Sequence, residues 1–302
     1  MPKRTTMAMA RTRWLVPLAF AAWCVSAPSV AGADAAGEAR NILEASGVGG
    51  GLVVHVGCGD GRLTAALRAS DAYLVHGLAR DAADVERARA HIRAEGLYGP
   101  VSVERFDGRR LPYADNLVRL LVAETAGAVP RAEAMRVLAP EGVLCARDGE
   151  GWKTTVKPRP EAIDAWTHYL HDASNNAVAD DTAVGPPKRL RWTAGPHYCR
   201  SHEIDSSLCA MVTAGGRLFY IFDEGLTGIT DPRLPPRWVL VARDADSGVL
   251  LWKRPMPDWG WRQWKPEWGT QNWTETRGHR TRLPIVLPRR LVTDGERVYA
   301  TL

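Results

Sequence analysis

A glycine-rich turn between an apolar run and a short helical pattern constrains this 302-residue chain more than any other feature. The apolar run covers residues 53–56, the turn reads Gly57-Cys58-Gly59-Asp60-Gly61, and the helical pattern covers 63–67. Glycine lets a backbone approach a ligand closely, and the amides of such a turn favour polar or anionic groups. The segment therefore predicts the strand–loop–helix of a nucleotide-binding fold.

Strand and helix patterns alternate along residues 41–147. After the strand that precedes the glycine turn, further strands are predicted at 72–78, 101–104, 117–122 and 142–146. One helix is predicted to start at the cap Asp81 and to bury Val85, Ala88 and Ile92, and a second covers 131–138. Strands that alternate with helices predict a doubly wound, mostly parallel sheet.

Three motifs in this segment resemble those of class I S-adenosylmethionine-dependent methyltransferases of the small-molecule type. The first is the turn from His55 to Gly61, the second runs from Phe106-Asp107-Gly108 to Asn116, and the third is the 135–142 turn. A single glycine loop is weak evidence, whereas three motifs in order indicate a family. The resemblance implies a Rossmann-like α/β methyltransferase fold for residues 34–150.

The resemblance also implies S-adenosylmethionine as cofactor and methyl transfer to an unidentified small acceptor. It assigns cofactor binding, but no catalytic role, to His55, Gly57, Cys58, Gly59, Gly61 and Asp107. In the family an acid stands at the position of His55, a second acid at the position of Ala79 accepts both ribose hydroxyls, and Asp107 would contact the adenine amino group. Alanine cannot accept a hydrogen bond. The alternative is therefore a methyltransferase fold kept as a non-catalytic binding or scaffold protein.

The first 33 residues predict export. Four basic residues flank or precede an apolar run at 14–25, and Ala31-Gly32-Ala33 forms an A-x-A cleavage site. The run is shorter than the roughly 20 residues that span a bilayer. We expect a signal peptide cleaved after Ala33, a periplasmic or extracellular protein, and no transmembrane segment after cleavage.

Charge and cysteine content narrow the list of partners. The net charge of +5 falls to +1 without the basic residues of the leader, and no basic stripe follows, so nucleic acid is not an expected partner. In an oxidising compartment Cys199 and Cys209 could form a disulfide, whereas Cys58 and Cys145 are predicted to be buried. The cysteine and histidine spacing predicts no metal site.

A second domain begins after residue 150, since ten of the 12 tryptophans lie at or after Trp152. Residues 151–185, which include Pro158 and Pro160, are predicted to form a linker. Four β-type runs follow at 208–212, 217–222, 238–242 and 249–252, and glycine-containing turns separate them. These runs predict one antiparallel sheet of the size of a propeller blade.

Residues 240–253 resemble the repeat signature of pyrroloquinoline-quinone-type β-propellers, and residues 291–300 resemble the opening hairpin of the next repeat. The resemblance implies that Trp252 docks between blades and that residues 186–302 begin an all-β propeller that binds a small molecule or a protein. A ring needs about four blades of roughly 40 residues. We therefore expect the propeller to be incomplete and the chain to be a fragment of a longer protein.

A quinone-dependent dehydrogenase is a further alternative, although in that family the calcium and quinone ligands come from several blades. Pyrroloquinoline quinone is for that reason not an expected cofactor.

Two clusters of polar and aromatic residues in the second half each allow two interpretations. His168 and His171 form either a metal site or, as we prefer, a hydrogen-bonded turn. The tryptophans of 259–268 either stack on sugars or bases or, as we prefer, pack onto the propeller.

Overall fold

The computed structural model describes most of the chain after the predicted leader. The described residues are 30–125, 127–149, 151–183, 185–186, 190–195, 207–227, 237–257, 259 and 290–301. They fold as a mostly parallel α/β sheet followed by an antiparallel sheet. No helix within these ranges is long and apolar enough to cross a membrane. Residues 1–29 of the predicted leader, Cys199 and the tryptophans of 260–268 lie outside the described residues.

The first sheet has the strand order β3-β2-β1-β4-β5-β6, in which every pair except β5–β6 is parallel. This order, with β1 beside β4, brings the carboxyl ends of β1, β2, β3 and β4 to one edge. Its elements are α1 (Val30–Ser46), β1 (Gly51–Val56), α2 (Arg62–Ala66), β2 (Tyr73–Ala79), α3 (Ala82–Ala94), β3 (Val101–Arg105), β4 (Val118–Ala123), α4 (Arg131–Val137), β5 (Leu138–Asp148) and β6 (Gly151–Val156).

Helix α3 shows how the local sequence sets this fold. The Asp81 side chain accepts a hydrogen bond from the Ala83 amide at 2.8 Å and so caps the helix. Val85, Ala88 and Ile92 follow at helical spacing and are buried against the sheet, as predicted. Strand β4 is buried except at Arg119, as expected for a central parallel strand. The predicted Rossmann-like α/β fold is confirmed.

Two elements of this domain were not predicted. Helix α1 buries Ala39 and Ile42 in the core. Residues 151–156, assigned above to a linker, instead form the edge strand β6 and pair antiparallel with β5. The linker assignment is wrong there, because an edge strand of exposed polar residues lacks the apolar alternation that identifies a strand.

The antiparallel sheet is confirmed as a single four-stranded meander of order β10-β9-β8-β7. Gly215 and Gly216 both have positive φ, of 54° and 67°, as a two-residue hairpin turn requires. The propeller is not confirmed, because the described residues form one blade-sized sheet and a closed ring needs about four. The strands are β7 (Leu208–Ala214), β8 (Arg217–Asp223), β9 (Trp238–Asp244) and β10 (Leu250–Pro255), followed by the short pair β11 (Val292–Thr293) and β12 (Val298–Tyr299).

Candidate functional site

The glycine turn lies at the carboxyl end of β1 and is shaped by three left-handed glycines. Gly57, Gly59 and Gly61 have φ values of 88°, 51° and 83°. A Cβ at Gly61 would lie 2.8 Å from the Cβ of Ala88 in α3, so a side chain cannot fit there. A Cβ at Gly59 would meet nothing closer than 4.0 Å. The turn therefore packs on the protein at Gly61 and is open to a ligand at Gly59.

Only part of the turn has amides to offer a ligand. The Gly57 and Cys58 amides donate to the carbonyl of Leu78 at 2.8 and 3.2 Å, and the Gly61 amide donates to Cys58 at 2.8 Å. The amides of Gly59 and Asp60 make no hydrogen bond within the described part of the chain. These two amides are the donors that can reach a polar group above the turn.

Cys58 is buried, as predicted, with 4% of its surface exposed. Burial raises the pKa of its thiol to about 12, so the side chain stays neutral and apolar near neutral pH. Cys58 can therefore take part in ligand binding only through its backbone. Cys145 is also buried, as predicted, and burial raises its pKa to about 11.

His55 lies beneath the turn and is 1% exposed. Its Nδ1 is 2.8 Å from the hydroxyl of Thr64 in α2, and its Nε2 is 3.2 Å from Oε1 of Glu124. Both ring nitrogens are therefore engaged by protein groups. His55 supports the site from below and does not face a ligand directly.

Glu124, at the carboxyl end of β4, is the acid that sequence reasoning missed. Its carboxylate also accepts hydrogen bonds from Arg147 at 3.0 and 3.1 Å, and Arg147 pairs in turn with Glu38 of α1. Burial acts to raise the pKa of Glu124, but the hydrogen bonds from His55 and Arg147 prevail and hold it below its usual range. Glu124 therefore carries a full negative charge near neutral pH.

Glu124 also borders the glycine turn. A Cβ at Gly57 would lie 3.1 Å from the Cβ of Glu124, and about a quarter of the glutamate side chain is exposed. The acid missing at position 55 thus reappears in space from the neighbouring strand. The signal in the sequence was a glutamate directly after a buried strand, since β1 and β4 are neighbours in a doubly wound sheet.

The last residue of β2, Ala79, offers no side-chain acceptor. Ala79 is 3% exposed, and its carbonyl accepts the Phe106 amide at 2.8 Å. Asp81, two residues beyond Ala79, uses its Oδ1 to cap α3. The next residue, Arg80, places its guanidinium against Gly108, where a Cβ would lie 2.5 Å from Nη2. A cation thus occupies the region in which the resemblance places an anion.

Asp107 lies in the exposed loop after β3. Its Oδ1 accepts the Arg109 amide at 2.9 Å, which fixes the carboxylate at the carboxyl edge of the sheet. The other oxygen, Oδ2, has no hydrogen bond to any residue that the structure describes. The residues present therefore fit the amino-acid and adenine ends of S-adenosylmethionine, and they leave its ribose hydroxyls without an acceptor at β2.

Two other features lie away from this edge. The His168 amide donates to the His171 carbonyl at 3.0 Å, and Nε2 of His171 is 2.5 Å from Asp164, which gives the hydrogen-bonded turn that we preferred. No group of three potential metal ligands occurs among the described residues. A groove of about 550 Å³ lies between α1 and α2 near Ala36 and Gly47, at the amino edge of the sheet, and is separate from the glycine turn.

Residues 53–142 match the model of a protein family described as a methyltransferase domain. The match begins in β1, includes the glycine turn, Asp107 and Glu124, and ends in β5. The match covers less than a third of the chain and supports a methyltransferase-type fold for that part of it. No curated protein matches the chain.

Several solved structures are similar to part of the chain. A Methanococcus maripaludis protein described as a candidate S-adenosyl-L-methionine-dependent methyltransferase is 24% identical over 37% of this chain and 54% of its own, with a TM-score of 0.34. The cyclase SpnF is 25% identical over 37% of this chain and 43% of its own, with a TM-score of 0.34. Geranyl diphosphate C-methyltransferase from Streptomyces coelicolor is 18% identical over 36% of this chain and 44% of its own, also with a TM-score of 0.34. The matches span about half of each solved chain.

Proposed function

We propose that the parallel-sheet domain binds S-adenosylmethionine at the carboxyl ends of β1 and β4 and transfers its methyl group to a small acceptor. The observation that carries this proposal is the position of Glu124, whose Cβ lies against Gly57 of the glycine turn and whose carboxylate is held by His55 and Arg147. A carboxylate and two amides at one place suit an amino acid, which carries one positive and one negative group.

The residues of the chain bind and orient the ligand. The amides of Gly59 and Asp60 would donate to the carboxylate of the amino-acid end, and Glu124 would accept from its ammonium group. Oδ2 of Asp107 would accept from the adenine amino group. When bound, S-adenosylmethionine supplies a methyl group on a sulfonium, which leaves as a thioether once an acceptor atom takes the methyl. Alignment of donor and acceptor can provide most of the rate enhancement of such a reaction.

Calorimetric titration of the full chain with two ligands tests the proposal. Glu124→Gln keeps the shape of the side chain and removes its charge, so S-adenosylmethionine should bind about tenfold more weakly. 5′-Methylthioadenosine lacks the amino-acid end, so its affinity should be the same for the variant and the unchanged chain. Glu95→Gln, an exposed change at the far end of α3, is the matched control. Absence of heat at millimolar S-adenosylmethionine would contradict the proposal.

A non-catalytic scaffold is the competing function, and Ala79 favours it. Without an acceptor at the end of β2, two ribose hydroxyls lose partners in the bound state, which costs about 1–3 kcal/mol for each unmet group. A domain that binds neither S-adenosylmethionine nor 5′-methylthioadenosine in the titration above, yet unfolds cooperatively, would be a scaffold.

We also propose that the antiparallel sheet is the first blade of a propeller that binds a small molecule or a protein in an exported protein. The order of its four strands is that of a meander, and the ring centroids of Trp252 and Phe219 lie 6.0 Å apart. A structure of the protein determined by electron microscopy tests this, because it counts the blades. Fewer than four blades would contradict the proposal.

A further inference from the structure

Three exposed arginines lie where β2 and β3 end. Arg80 follows β2 directly, Arg105 is the last residue of β3, and Arg109 lies in the next loop. Nε of Arg105 donates to the Arg80 carbonyl at 3.2 Å. Atoms Nη2, Cζ and Nε of Arg80 would lie 2.5–2.7 Å from a Cβ at Gly108, so its guanidinium spans the gap between the two strand ends.

The acids of this region do not neutralise these guanidinium groups. Within the described ranges, none of the three forms an ion pair. Asp81 and Asp107 accept backbone amides, of Ala83 and Arg109 respectively. Glu104 is exposed, and its carboxylate lies 3.8 Å from Nε2 of His76. The sugar end of the site therefore presents donors and positive charge, and Ala79 adds no acceptor.

This combination has a known physical consequence in nucleotide-binding sheets. An acid at the end of β2, about 20 residues beyond the glycine turn, binds the ribose 2′-hydroxyl, whereas a nearby arginine accommodates a phosphate on that oxygen. Here the acid is absent and Arg80 is present, with Arg105 beside it. A phosphate dianion accepts bidentate, charge-assisted hydrogen bonds from guanidinium groups, which are among the strongest that proteins form.

We propose that the sugar end of this site binds a 2′-phosphate on the ribose of an adenine nucleotide, and that such a nucleotide excludes S-adenosylmethionine. The inference rests on the proposed function in one respect only, since both place an adenosyl group at the carboxyl edge of β1 to β4. The guanidinium of Arg80 binds the phosphate. Arg105 holds the Arg80 backbone through its hydrogen bond to the Arg80 carbonyl and adds a positive charge.

The experiment compares ligands that differ in one phosphate, by calorimetry on the full chain. Adenosine 2′-monophosphate should bind about tenfold more tightly than adenosine, and than adenosine 5′-monophosphate. Both affinity ratios, 2′-monophosphate to adenosine and 2′- to 5′-monophosphate, should fall to about one in Arg80→Gln. They should stay unchanged in Arg93→Gln, which alters an exposed arginine at the opposite end of α3. The preference should also weaken as salt rises, because it is electrostatic.

The outcomes separate this inference from the proposed function. Binding of S-adenosylmethionine without a preference for the 2′-phosphate overturns the inference alone. An Arg80-dependent preference without any binding of S-adenosylmethionine upholds it and overturns the methyltransferase proposal. Equal affinity for the 2′- and 5′-phosphates, or competition by inorganic phosphate at equal concentration, shows a general attraction for anions and overturns it. No binding of any nucleoside overturns both.

Discussion

The guanidinium of Arg119, in the parallel sheet, donates to one oxygen of Asp244, in the antiparallel sheet, at 2.6 and 2.8 Å. The two side chains are 11% and 3% exposed. The same guanidinium donates to the carbonyls of Pro140 and Gly216 at 3.0 and 3.3 Å. Asp244 also holds its own turn, through the amide and hydroxyl of Ser247. The buried guanidinium of Arg119, which also lies 3.3 Å from Oδ2 of Asp246, thus joins the two sheets.

Asp244→Ala should destabilise the chain by about 2 kcal/mol, because the buried guanidinium loses its closer carboxylate and keeps only Asp246, at 3.3 Å. Urea denaturation measures the change. The double variant Arg119→Met, Asp244→Leu should recover much of the loss, since both charges are removed together. Asp60→Asn breaks the exposed ion pair between Asp60 and Arg62 and should lower the free energy of unfolding by about 0.5 kcal/mol or less. A similar cost for the two single variants would show that the buried pair is not what joins the sheets.

The segment 164–181 should be most stable in mildly acidic solution. The hydrogen bond to Asp164 raises the pKa of His171, and the carboxylates of Asp172 and Asp180 add to this. A raised pKa contributes stability below about 6.5, the unfolded value, and the contribution is lost as pH rises through the folded pKa. Backbone amides of Asp180 and Ala165, and then His171, lower the pKa of Asp164 to about 2, so its contribution is lost as pH falls from about 4 towards that value.

Hydrogen exchange at the Asp180 amide, which donates to Asp164 at 2.9 Å, reports this pH dependence. After correction for intrinsic exchange, protection should fall as the pH rises above about 6.5 and through the raised pKa of His171. His171→Gln, which cannot titrate, should remove that fall. Protection that rises over this range would show that protonated His171 does not stabilise the segment.

The glycine turn should tolerate a side chain at one position and not at another. Gly59→Ala should cost about 1 kcal/mol, the price of a left-handed φ alone. Gly61→Ala adds a collision with α3, where the new Cβ would lie 2.8 Å from Ala88, and should cost at least about 2 kcal/mol. Urea denaturation of both variants gives the comparison, and equal costs would argue against the packing of Gly61 on α3.

Ala79→Asp should reverse the ligand preference at the sugar end. The new carboxylate can accept both ribose hydroxyls and should raise the affinity for S-adenosylmethionine about tenfold. It should also repel a 2′-phosphate and weaken binding of adenosine 2′-monophosphate. Calorimetry with both ligands checks this, with the exposed change Ala90→Asp as a control of equal charge. A parallel change in both affinities would show that Ala79 does not lie at the sugar.

Much of the fold follows from local patterns. The five predicted strands, the cap Asp81 and the buried face of α3 are confirmed because periodicity and capping act within a few residues. Strand β6 escaped prediction because its residues are largely exposed at an edge. The propeller stays a proposal, because closure of a ring depends on contacts between blades.

The site was only partly predictable. The positions of Gly57, Gly59 and Gly61 follow from their order in the chain, and the loss of an acceptor at Ala79 is visible as a residue type. The burial of His55 and its contact with Glu124, 69 residues away, are not visible in this way. Two strands distant in the chain become neighbours only when the sheet forms.

The amino-acid sequence by itself determined the parallel α/β domain, its glycine turn and the antiparallel strands that follow. Turn preference and hydrophobic periodicity depend on residues only a few positions apart, so they can be predicted from the sequence. Only the tertiary structure decided which charges meet. It placed Glu124 beside the turn, Arg80 against Gly108 and Arg119 against Asp244. Electrostatic and hydrogen-bond energies depend on distances of a few ångströms, and folding sets those distances between residues far apart in the chain.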